Sequence, residues 1–174
     1  MKTAFLPVFL IVLVSCQTGS KQEAKTESTA TTTANDSAAL LAKRPAAGAP
    51  RSAADRLVRA LYFEHNKKEN PFREKKDRAL VDQFFAKSTA DLIWRNAQKS
   101  SDKVNLLFNV PEAAIKKTWV EPAAIGGSRA IVYVTFENKS RPEEIKIDLR
   151  QTAGRWRIID MLYPDEKRLT QLLQ

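Results

Sequence analysis

The chain has very little cysteine or histidine: one of each in 174 residues. Cys16 alone excludes an intramolecular disulfide and a cysteine-based zinc site. With His65 the sole histidine, a histidine-rich metal site is excluded as well. There is no Gly-rich phosphate loop and no Ser/His/Asp set, so neither metal nor cofactor is expected. The apolar run Ala4 to Val14 falls short of the roughly 20 residues that a membrane-spanning helix needs. Basic residues are interleaved with acids, as in Lys67-Lys68-Glu69 and Arg73-Glu74-Lys75-Lys76-Asp77-Arg78. No run is long enough to read as a nucleic-acid arm, so nucleic acid is not an expected partner.

What the chain does have is positive charge. Its formal net charge is +9. That balance favours anionic partners such as lipid headgroups, lipopolysaccharide, cell-wall polymers or an acidic protein. The same balance describes a solvated basic surface.

The N-terminus opens with Lys2 and the eleven-residue run from Ala4 to Val14, the length of a signal-peptide core. It ends in Leu13-Val14-Ser15-Cys16. These four residues resemble the bacterial lipobox. The resemblance implies that residues 1–15 are a lipoprotein signal peptide and that Cys16 becomes the lipidated first residue, bearing palmitate-like chains. The alternative is an ordinary secretory signal cut after Ser15, leaving a free thiol. One acyl chain gives marginal membrane binding, at about 0.8 kcal/mol per buried CH₂, whereas two or three hold a protein permanently. Gln17, not Asp, follows the cysteine; by resemblance to enterobacterial lipoprotein sorting this implies the outer membrane, facing the periplasm.

Residues 16–51 change composition to Thr, Ala, Ser, Lys and Gln, with no aromatic side chain. Leu40 and Leu41 are the only large aliphatics there. So little apolar surface cannot offset a backbone entropy of roughly 1–2 kcal/mol per residue. The stretch reads as a disordered tether with a coil dimension of about 30–35 Å. Leu40 and Leu41 suit a short helix, which Pro45 and Pro50 keep from extending.

From Ser52 the pattern becomes that of a folded domain, residues 52–174. Ser52 and Asp55 form a capping box before a helix whose stripe is Ala54, Leu57, Val58, Leu61, Tyr62 and His65. A second helix is predicted from about Glu74 to Phe85. A third opens at a capping box of Ser88 and Asp91 and carries Leu92, Ile93 and Trp94. Val104 to Ala114 reads as an irregular packed segment. The period then changes from 3.6 to 2, with strands at Ile115–Glu121, Ala130–Phe136, Glu144–Arg150 and Arg155–Tyr163. Turns fall at Gly126-Gly127, Asn138–Pro142 and Thr152–Gly154. Pro164 suits the first position of a final helix with Leu169, Leu172 and Leu173 as its stripe. The fold class is α+β: N-terminal helices on an antiparallel sheet of about four strands, with a short C-terminal helix.

Val58-Arg-Ala-Leu-Tyr62, Phe84-Phe-Ala-Lys-Ser88 and Gly154-Arg-Trp-Arg-Ile-Ile-Asp160 with Tyr163-Pro164 resemble bacterial envelope lipoproteins of the nuclear transport factor 2-like, or cystatin-like, superfamily. The resemblance covers about Ser52 to Gln174. It implies a bent sheet wrapped over helices into a cone with a pocket. On that basis Tyr62, His65, Tyr133, Trp156 and Asp160 are the candidate pocket residues. Asp160 reads either as an acid with raised pKa or as a partner for a nearby Arg or backbone end. His65 also reads as a helix C-terminal residue favourable to the dipole. The three tryptophans read most simply as core.

The expectation is a membrane-anchored, non-catalytic envelope lipoprotein that binds a partner protein or a small anionic or apolar ligand. The alternatives are a small isomerase- or hydrolase-like enzyme using Asp160, or an inhibitor or immunity-type lipoprotein.

Overall fold

A computed structural model describes residues 32–64, 78–96 and 105–174. Among these, helix α1 is Thr32–Ala42 and α2 is Ala53–Arg59, which continues as a π-helical turn over Ala60–Glu64. Helices α3, Arg78–Phe84, and α4, Lys87–Asn96, follow. The strands are β1 Ile115–Val120, β2 Ala124–Gly126, β3 Arg129–Asn138, β4 Arg141–Thr152 and β5 Arg155–Leu162, and α5 is Leu169–Leu172. The fold class is α+β, as the change of period predicts. All pairings are antiparallel, in the order β1-β3-β4-β5, with β2 also on β3. The sheet therefore has five strands. The extra one, β2, is too short to show a period of two.

Alternation decides which side of the sheet is dry. Ala130, Val132, Val134 and Phe136 of β3 and Ile145, Ile147 and Leu149 of β4 are buried. They meet Ala54, Val58, Leu61, Val81, Phe84, Phe85 and Ile93 from α2 through α4. Each large side chain among them contributes about 1.5–3 kcal/mol by leaving water. Tyr62, Phe108 and Phe136 stack edge to face, with ring centroids 5.1 and 5.0 Å apart, and fill the space between helices and sheet. Among the described residues every buried apolar side chain lies between Leu41 and Leu173.

The hairpins β3–β4 and β4–β5 turn tightly. Lys139 and Ser140 both have positive φ, as do Ala153 and Gly154. Two such residues make the turn whose twist matches paired strands. Ser52 caps α2 with Asp55, as expected.

Four expectations change. α4 begins at Lys87, so Ser88 lies inside it, and Asp91 pairs with Arg78 and Lys87 instead of closing a capping box. Pro164 sits in a turn before α5, which is capped from Arg168. Of the predicted α5 stripe, Leu169 and Leu173 are buried but Leu172 is exposed. The fourth change concerns the tether. The short helix expected at Leu40 and Leu41 is present and stops before Pro45, but it runs from Thr32 to Ala42 and packs on β2 and β3 where a disordered tether was expected. The physical reason lies in β2: Gly126 has no side chain, so the Ser37 carbonyl can sit against its backbone and bury Leu41 beside it. Arg44 then reaches Glu121 and Glu144 on the outer face of the sheet and lies 4.4 Å over the Tyr133 ring.

Candidate functional site

The candidate pocket residues do not come together. Tyr62 is 3 % exposed and donates its hydroxyl to the Leu107 carbonyl at 2.7 Å. It is a core residue on the helix side of the sheet, and burial holds its phenol well above the ordinary value of 10.0. Trp156 packs against the same core. Tyr133 and Asp160 lie on the opposite, outer face. His65 and Cys16 lie outside the described residues.

Asp160 is fully occupied. Its Oδ1 accepts from the backbone N–H groups of Met161 at 3.0 Å and Thr170 at 3.1 Å. Its Oδ2 accepts from the Thr170 hydroxyl at 3.0 Å and Arg168 at 3.3 Å. Of the two readings open in the sequence, it is the partner of an Arg and of a backbone end. Both oxygens hold the C-terminal helix in place. Among the described residues no group of His, Cys, Asp or Glu could hold a metal ion.

The chemistry that the register does assemble is basic. On β3 the outward positions include Arg129, on β4 Arg150, and on β5 Arg157. Arg129 is paired directly with Arg150, and Arg150 with Arg157. Directly opposed residues share a face, and adjacent strands lie about 4.8 Å apart. Three arginines thus occupy neighbouring positions on one face of three adjacent strands, with the Arg157 Nη1 donating to the Trp156 carbonyl at 2.8 Å. Arg155, opposite Thr152, extends the cluster towards the β4–β5 turn. Among the described residues none of the four arginines is ion-paired with a carboxylate. The next row along carries Asp148 opposite Asp160, both engaged by Arg168 at 3.5 and 3.3 Å. Like charges placed directly opposite destabilise a sheet.

Beside this row a groove of about 690 Å³ runs between the α3–α4 junction and the β4–β5 turn. Arg78, Lys87, Arg155 and Arg157 line it, with Phe85 as its apolar wall. It exists because the Ala86 backbone N–H donates to the Ile158 carbonyl at 2.8 Å, which docks the helix junction on the edge of β5. Arg78 is bonded to Asp91, whose carboxyl is held below its ordinary value by that hydrogen bond. Arg155 and Arg157 are left as its uncompensated charges.

The sequence reading missed these arginines. Each lies at an outward position of a strand the period identifies, but only the register shows that they are neighbours.

No family model and no curated protein matches this chain. Among solved structures, it is similar to a chain in the crystal structure of the type VI native effector-immunity complex Tae3-Tai3 from Ralstonia pickettii. The identity is 18 %, covering 64 % of this chain and 93 % of that one, with a TM-score of 0.41. An overlap that small carries neither function nor partner from one to the other.

Among the described residues no helix is long and apolar enough to cross a membrane.

Proposed function

We propose that this chain is a lipid-anchored protein of the bacterial cell envelope, and that its domain is a non-catalytic binding module. One observation carries the anchor: the sequence Leu13-Val14-Ser15-Cys16 closing an eleven-residue apolar run. A span of that length directs export without crossing a bilayer as a stable helix. The engaged state of Asp160 supports binding over catalysis, because the acid that an enzymatic reading needs is holding the C-terminal helix.

The binding surface in this reading is the basic end of the sheet, formed by Arg129, Arg150, Arg155 and Arg157. Metabolic labelling with an alkyne fatty acid tests the anchor. Label is expected in the wild-type chain, in the membrane fraction, and is expected to vanish in Cys16→Ala. A wild-type chain that takes up no label and is recovered soluble would sink this reading.

A further inference from the structure

We propose that the arginine row Arg129–Arg150–Arg157, extended by Arg155, is a docking surface for the anionic headgroups of a lipid bilayer. The inference rests on the anchored reading above and names what the basic end of the domain binds.

Three observations carry it. The first is the row itself. The neighbouring like-charge pair, Asp148 opposite Asp160, is bridged by Arg168, which engages both carboxylates. By contrast, the register aligns three cations with no carboxylate paired to them among the described residues. Such a row gains most from a surface carrying phosphates at similar spacing. A bilayer offers that without any fixed register, and so does not require a shaped pocket.

The second observation is direction. Ser37 of α1 lies against Gly126, and Arg44 lies over Tyr133. The chain thus enters the domain from the Arg129 end of β3. Fifteen residues separate Cys16 from Thr32, a reach of at most about 55 Å. A folded unit of this size is about 35–40 Å across. An anchored domain is therefore held within roughly one and a half of its own diameters of the bilayer, with the end that receives the chain also the end that carries the arginines.

The third is the shape of the surroundings. Arg129 and Arg150 are exposed at the surface, and Arg155 lies at the β4–β5 turn. A planar partner can reach a row that lies at the end of a sheet, beside the β2–β3 and β4–β5 turns.

The test uses the chain from Gln17 to Gln174, which contains every described element and no acylation site. It is sedimented with vesicles of phosphatidylcholine alone and of phosphatidylcholine mixed equally with phosphatidylglycerol. Binding is expected only to the mixed vesicles, weakening as salt is raised. Near an anionic surface each basic residue removed lowers partitioning about fivefold, so the triple variant R129Q/R150Q/R157Q should bind about a hundredfold more weakly. A control of equal charge loss at the far end of the sheet, K116Q/K139Q/R141Q, should bind nearly as wild type. Thermal unfolding of both variants confirms that each is folded.

Three results overturn the proposal: no binding to the mixed vesicles, equal loss in both variants, or wild-type binding by the arginine triple. Capture of an acidic protein by the row without vesicle binding also overturns it, in favour of a protein partner. Because this chain carries no acyl group, failure here leaves Cys16 labelling untouched, and failure of the labelling leaves vesicle binding untouched.

Discussion

The carbonyl oxygen of Ser37 occupies the space that a side chain at residue 126 would need, and Gly126 has none. The Leu41 Cγ closes the same space, at 2.9 Å from where a Cβ would stand. Helix α1 is thus held by an absence in β2, and the segment before the core becomes part of the folded unit. Gly126→Ala should separate the two at a cost of about 1–3 kcal/mol. Limited proteolysis is the direct check. Cleavage near residues 43–51 should quicken many-fold in the variant, while the sheet resists. Unchanged cleavage would mean that α1 is not held at this contact.

Arg44 secures the same segment. It gives two hydrogen bonds to Glu121, at 2.7 and 2.6 Å, reaches Glu144 and covers Tyr133. The Glu121 hydrogen bond holds its guanidinium even further in the charged form. The side chain is 45 % exposed, so water screens the pairs and their share of stability is at most about 1 kcal/mol. Arg44→Lys keeps the charge but cannot make the forked contact or stack on the ring. Its proteolysis pattern should move towards that of Gly126→Ala with little change in melting temperature. A pattern identical to wild type would show that charge alone suffices.

Base should unfold the protein through its buried phenols. Tyr62 and Tyr163 are held well above the ordinary value of 10.0, by burial first and by neighbouring charge second. Their hydroxyls donate to the carbonyls of Leu107 and Leu106. A folded-state value above the unfolded one means stability is complete below about pH 10 and falls as pH rises beyond it. Tyr62→Phe should lower stability by about 1 kcal/mol at neutral pH. It should also flatten the loss above pH 10. Denaturant unfolding measured across that range decides this, and parallel curves for variant and wild type would exclude Tyr62 as a source.

Asp160 should prove structural. Asp160→Ala leaves two backbone N–H groups, the Thr170 hydroxyl and Arg168 without their acceptor, at a cost of about 2–3 kcal/mol. Hydrogen exchange should show protection lost first in α5 and the end of β5. Loss spread evenly over the sheet would argue that the carboxylate does not act through that helix.

The arginine row should be a source of strain in the free protein. Arg150 stands between Arg129 and Arg157, so Arg150→Gln removes two like-charge contacts at once. The variant should melt higher, by up to about 1 kcal/mol of added stability. Added salt should raise the wild-type melting temperature more than that of the variant. A lower melting temperature in Arg150→Gln would show that the row is compensated.

Much of the architecture was legible because local periodicity reports burial. Alternation in Ala130–Phe136 and Ile145–Leu149 marks two-layer packing, and the capping pair Ser52 and Asp55 marks where the first core helix starts. The candidate site was not legible in the same way. Tyr62 and Tyr133 both lie on apolar stripes, yet the sheet stands between them. Asp160 among apolar neighbours reads the same whether its carboxylate is free or engaged, because its partners Arg168 and Thr170 approach only through the turn after β5.

The sequence by itself determined a single cysteine at the close of a short apolar run, the order of helices before strands, and the identity of most core side chains. These depend on residue type and short spacing. Only the tertiary structure decided that residues 32–42 pack on the sheet, that Asp160 is a cap, and that three arginines from three strands stand in one row. Each depends on strand register or on the close approach of distant backbones, and residues remote in sequence become neighbours only when the sheet closes.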